Sequence, residues 1–138
     1  MIQVFSGKRG SGKTKRLIEK ANAQMEIIDG HIVYIDDDNG PMHQLSRSIR
    51  FISTKEYKFR GLEGLYGYLC GILSCDYDIQ QIYIDGLANI ASIDVKKAEE
   101  LFENLEKLSQ DFKVDFYINV NEEAVSGIEE VIKKYIVA

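Results

Sequence analysis

Eight residues near the start of the chain, Gly7-Lys8-Arg9-Gly10-Ser11-Gly12-Lys13-Thr14, constrain its fold more than any other stretch. They match G-x-x-x-x-G-K-[ST] at every fixed position, follow a short apolar run, Ile2–Phe5, and open a helical pattern. The spacing has a chemical reason. Glycines let a loop curl around a phosphate with successive backbone N–H groups pointing inward. The helix behind the loop offers its positive end to the same anion. Lys13 adds a point charge for the β- and γ-phosphates, and Thr14 supplies a hydroxyl for Mg2+. A strand, a phosphate-cradling loop and a helix, in that order, commit the start of the chain to an α/β architecture.

The remaining pattern continues that architecture. Thr14–Ile28 reads as a helix, with Leu17, Ile18, Ala21 and Met25 at helical spacing, and Asp29-Gly30 stops it. His31–Ile35 is a continuously apolar, β-branched run, as expected of a strand covered on both faces. Asp36-Asp37-Asp38-Asn39-Gly40-Pro41 is the strongest turn signal. Ile49–Thr54 reads as a further strand and Leu62–Leu73 as a helix in which Gly64, Gly67 and Gly71 would allow close packing on a neighbour. Ile82–Asp85 is a buried strand and Asp94–Gln110 an amphipathic helix striped by Val95, Ala98, Leu101, Phe102, Leu105 and Leu108. Val114–Val120 is the last strand, and Glu122–Tyr135 a closing helix or helix pair broken at Gly127. Alternating strands and helices imply a three-layer α/β sandwich around a mainly parallel sheet of about five strands, in one domain over residues 1–138. Ligands of such sheets bind at the carboxyl ends of the strands.

Composition narrows the function classes. The formal charge of −5 gives no nucleic-acid signal, since such partners call for an electropositive surface. No apolar run is long enough to span a membrane, and the start lacks the layout of a signal peptide, which fits a cytoplasmic protein. Cys70 and Cys75 match neither a redox nor a zinc spacing and read as small buried side chains. His31 and His43 have no ligand types at metal spacing and read as structural residues.

A Mg2+ ion on Thr14 calls for a carboxylate at the end of a buried strand, and Ile82-Tyr83-Ile84 runs into Asp85. With Gly7–Thr14 as a Walker A loop and Asp85 as Walker B, the chain resembles the P-loop NTPases of the additional-strand class. It resembles a minimal RecA-like ATPase domain. The resemblance implies ATP and Mg2+ as ligands. It also implies a catalytic carboxylate, which many members carry directly after Walker B, where this chain has Gly86. In the RecA-like branch that carboxylate ends the strand after the first helix, which here points to Asp36, Asp37 or Asp38; the plain alternative is that the three cap a solvated turn. A polar γ-phosphate sensor at the end of the last strand would be Asn119 or Asn121, although Asn121 also suits an N-cap for the helix at Glu122.

The five arginines are Arg9, Arg16, Arg47, Arg50 and Arg60, none of them in the second half of the chain. Arg47, Arg50 and Arg60 are the candidates for an arginine finger, in cis or from a neighbouring subunit of a homo-oligomer; the alternative is solvated surface charge. A small-molecule or nucleotide kinase is the rival enzyme, weakened by the missing late arginines that clamp a phosphoryl group. ATP is favoured by default because the guanine-reading N-K-x-D pattern is absent. The expectation is an ATP-binding protein with weak Mg-dependent hydrolysis, its alternative a nucleotide-dependent switch that binds a protein partner and scarcely hydrolyses.

Overall fold

The computed structural model describes residues 1–87, 94–121 and 127–137. Along the chain run β1 (Ile2–Gly7), α1 (Lys13–Met25), β2 (His31–Asp36), β3 (Arg50–Ser53), α2 (Gly61–Cys75), β4 (Ile79–Ile84), α3 (Val95–Phe112), β5 (Asp115–Asn121) and α4 (Ile128–Ile132). Short 3-10 turns lie at Gly40–His43 and Lys133–Tyr135. The five strands form one sheet in the order β1-β5-β4-β2-β3, and every pairing is parallel. The α/β sandwich expected from the alternating pattern is present, with a wholly parallel sheet. A single parallel bridge from Ile136 to Val4 covers the outer side of β1.

Strand side chains alternate between two cores, the period-2 consequence of the pleat. Val33, Ile35, Ile82, Ile84, Phe116 and Ile118 face α2, α3 and α4. Ile32, Tyr34, Tyr83 and Tyr117 face α1 together with Leu45 and Ile49. On this second face, register places Tyr117, Tyr83, Tyr34 and Phe51 opposite one another on β5, β4, β2 and β3. Their ring centroids follow at 4.7, 6.0 and 6.3 Å, a stacked row across four strands. Each such pair adds about 0.5–1.5 kcal/mol beyond area burial. No helix among the described residues is long and apolar enough to cross a membrane.

Several boundaries differ from the sequence pattern for local reasons. β4 starts at Ile79, hidden by the polar pair Gln80-Gln81; Gln81 is nonetheless buried, donating to Gln24 Oε1 at 2.8 Å and accepting from the Tyr83 hydroxyl at 2.7 Å. α3 starts one residue later than its pattern gives because Asp94 is its N-cap, the side chain accepting from Lys97 N. Of the closing helix, α4 begins after Gly127 as expected, while 122–126 lie outside the described residues. The cysteine expectation is corrected in part. Cys70 is half-buried against the core, but Cys75 ends α2 exposed. Close helix packing at the α2 glycines is corrected too. A Cβ on Gly64 would meet Phe59 at 3.2 Å, whereas Gly67 and Gly71 are exposed and have nothing within 4 Å.

Those two glycines weaken α2 with no packing return, so Gly67→Ala and Gly71→Ala are each expected to stabilise the protein by about 0.5–1 kcal/mol. Tyr83→Ala, which opens the middle of the aromatic row, is expected to cost about 3–5 kcal/mol. Urea denaturation measures both; a loss of stability at Gly67 or Gly71 would show that the open face is covered by something.

Candidate nucleotide site

The loop between β1 and α1 is shaped by backbone angles that only glycine adopts without strain. Gly10 and Gly12 have φ of +82° and +84°, and Gly12 is the N-cap of α1 with no side-chain cap of its own. No acidic residue lies in the first turn of α1, so its first N–H groups and positive end meet no carboxylate from that turn. Lys13 folds back over the loop. Its Nζ donates to the carbonyls of Gly7 at 3.0 Å and Lys8 at 2.8 Å and to Asn121 Oδ1 at 3.2 Å.

A cavity of about 270 Å3 opens above this loop. From the loop and α1 it takes Arg9, Gly10, Gly12, Lys13 and Thr14. From the turn after β2 come Asp36, Asp37, Asp38 and Pro41, from the end of β4 Asp85 and Gly86, and from β5 Asn119 and Asn121. These groups gather at the carboxyl ends of the strands, where parallel sheets place their ligands. Gly7, Lys8 and Ser11 complete the loop without lining the cavity.

The acidic wall sorts the three consecutive aspartates. Asp36 is buried; its Oδ1 accepts from Asp38 N at 3.1 Å, and its carbonyl accepts from Thr54 N at 2.9 Å. Burial, the hydrogen bond with Asp37 and the charge of Asp85 push its pKa up to about 8. Asp38 is exposed and its Oδ1 accepts from Gly40 N at 3.0 Å, the turn-capping role. Asp37 leans across to β4: a Cβ built on Gly86 would lie 2.4 Å from Asp37 Oδ1. Gly86 also has φ +70°, so a side chain directly after Asp85 would strain the backbone and displace the Asp37 carboxylate.

Asp85 is buried at the end of β4. Its Oδ1 accepts from Gly86 N at 2.9 Å and its Oδ2 from the Tyr34 hydroxyl at 3.4 Å. Burial and the Asp85 charge raise the Tyr34 phenol far above its usual range. Tyr34 bonds the Asp85 carboxylate and Thr54 the backbone carbonyl of Asp36; both carried no signal in the sequence, because strand pairing alone brings them there. Asn119 is 3% exposed, and neither Nδ2 nor Oδ1 has a partner among the described residues. A buried amide with nothing to bond costs free energy of order 1–3 kcal/mol until a ligand or water reaches it. Asn121 accepts from Lys13; the start of the helix it was expected to cap lies outside the described residues.

Arg47, Arg50 and Arg60 do not line the cavity and are exposed. Arg50 opens β3 at the amino end of the sheet, and Arg60 precedes α2 at its N-cap. Within one chain, Arg9 is the guanidinium at the cavity. No protein-family model matches the chain, and no curated protein matches it in sequence.

Asp36 gives a measurable pH signature. Its raised pKa means that the stability it contributes is present below the ordinary carboxylate pKa and is lost as pH rises toward about 8. Without nucleotide and Mg2+, the wild type is expected to lose several degrees more in Tm than Asp36→Asn between about pH 5 and 9. Parallel Tm–pH curves for the two proteins would contradict the assignment.

Proposed function

We propose that the protein binds ATP with Mg2+ in this cavity as a P-loop protein of the additional-strand class and hydrolyses it slowly. The observation that carries the reading is convergence: the glycine loop, Asp85 and a buried Asn119 amide, unpartnered among the described residues, meet in one cavity. Strand order supports the class, since β5 stands between the loop strand β1 and the Asp85 strand β4. The donors also suit Mg2+, which prefers hard oxygens: the Thr14 hydroxyl and the Asp85 carboxylate would hold it, beside Asp36. When bound, that ion neutralises phosphate charge and the crowded carboxylates.

The chain's own residues then have separable tasks. Lys13 exchanges the Gly7 and Lys8 carbonyls for the outer phosphates, and the open N-terminus of α1 receives the same charge. Asn119 offers its amide to the γ-phosphate, which satisfies the orphaned group. Asp37 is the carboxylate that orients water: it is half-buried, lines the cavity and fills the space beside Gly86. Water adds to the γ-phosphorus, the bond to the β-phosphate oxygen breaks, and Asp37 takes the water proton, giving ADP and phosphate. With Arg9 the cavity's single guanidinium within the chain, charge stabilisation is modest and turnover slow. The same feature favours the second reading, a nucleotide-held switch with negligible hydrolysis, and weighs against a kinase.

ATP binding and steady-state hydrolysis test this. Lys13→Ala is expected to weaken MgATP binding at least about tenfold, through loss of charge-assisted contacts. Asp37→Asn should lower kcat about 10²-fold or more with ATP affinity little changed, while Asp38→Asn behaves as wild type. No nucleotide binding by the wild type would overturn the proposal; tight binding without turnover would select the switch.

A further inference from the structure

The amino ends of the strands, away from the nucleotide cavity, hold a second chemical cluster. His31 opens β2, and Asp76 and Asp78 occupy the turn between α2 and β4. In sequence His31 has no ligand neighbours; in space one donor atom from each of the three residues lies within 4.8 Å of the others. We propose that His31, Asp76 and Asp78 form a binding site for a divalent transition-metal ion of the Zn2+ type.

Three observations carry the proposal. The first is geometry that exists before any ion arrives. His31 N donates to Asp78 O at 2.8 Å, pairing the start of β2 with the turn before β4. Asp76 N donates to Ile72 O, closing α2, and Asp76 Oδ1 accepts from Asp78 N at 2.9 Å. That leaves Asp76 Oδ2 facing His31 Nδ1 at 2.7 Å, with Asp78 beside them. Donors around a tetrahedral ion with bonds of about 2.0–2.2 Å stand somewhat more than 3 Å apart. Small rotations of exposed side chains reach that spacing, and the backbone that carries them belongs to the sheet and the end of a helix.

The second observation is charge. Two carboxylates share one imidazole, so even a protonated His31 leaves one negative charge over. Among the described residues no lysine or arginine forms an ion pair with Asp76 or Asp78. An exposed ion pair of this kind contributes little to folding, so stability alone gives the arrangement a weak reason to exist. A divalent cation neutralises all of it.

The third is the donor type. The nucleotide cavity offers oxygens and suits Mg2+, whereas imidazole with carboxylate suits Zn2+, Co2+ or Ni2+. Cys75, adjacent to Asp76, is an exposed free thiol lining the same open groove of about 470 Å3 as His31 and Asp76. The remaining coordination position is left to water. The site is independent of the nucleotide reading and stands or falls separately from it.

The test uses the whole chain, stripped with EDTA and free of nucleotide, titrated with Zn2+ by calorimetry and with Co2+ by visible absorption. One equivalent of Zn2+ is expected to bind and to persist in a large excess of Mg2+. His31→Gln and Asp78→Asn are each expected to weaken it about 10- to 100-fold, with far-UV circular dichroism and Tm retained. Zn2+ should also shift the His31 ring signals in NMR spectra while the loop amides of Gly10 and Gly12 stay in place. Absence of saturable binding below millimolar Zn2+ would overturn the proposal. So would binding that survives both substitutions, whether it is then lost with Cys75→Ser, a simple thiol adduct, or with Asp85→Asn, an ion in the nucleotide cavity.

Discussion

The hydrogen bond from Asp85 N to Ile35 O, 2.8 Å long, is the last rung between β4 and β2, and the character of the cavity depends on it. It sets Asp85 next to the strand end that carries Asp36. Burial there, then the hydrogen bond with Asp37 and the charge of Asp85, push the Asp36 pKa up to about 8. Facing them is a loop bearing Lys13 and Arg9. The cavity therefore has one basic and one acidic wall, which suits phosphates on one side and a hard cation on the other.

That arrangement is possible because the sheet is sealed on both faces. Aliphatic residues meet α2, α3 and α4, and the row Tyr117, Tyr83, Tyr34, Phe51 meets α1 and its neighbours. A parallel sheet covered in this way presents polar groups where its strands stop. The row is also coupled to the site, because the hydroxyl of Tyr34 reaches Asp85. Core packing and cavity geometry are thus parts of one structure.

Three adjacent aspartates in one turn take three different environments. Asp36 points into the sheet end and is buried, Asp37 crosses toward Gly86, and Asp38 turns back onto Gly40 N. The glycine after Asp85 and the carboxylate at Asp37 are two sides of one packing choice, because a side chain at 86 and the present position of Asp37 exclude each other.

Much of this was legible in consecutive residues. The apolar runs, the Gly7–Thr14 spacing and the stripe on α3 are short-range patterns set by backbone geometry, and they determined an α/β sandwich, a glycine-rich loop between the first strand and helix, and the strand ends where polar groups emerge. The polar start of β4 and the exposed Gly67, Gly71 and Cys75 were not legible, because burial depends on partners that local pattern does not name. Only the tertiary structure decided which of Asp36, Asp37 and Asp38 faces Gly86, that Asn119 is buried with no partner among the described residues, and that His31 meets Asp76 across 45 residues of chain. The reason is physical: such meetings are set by strand order and register, which arise from packing the whole sheet between its helices rather than from any neighbouring residue.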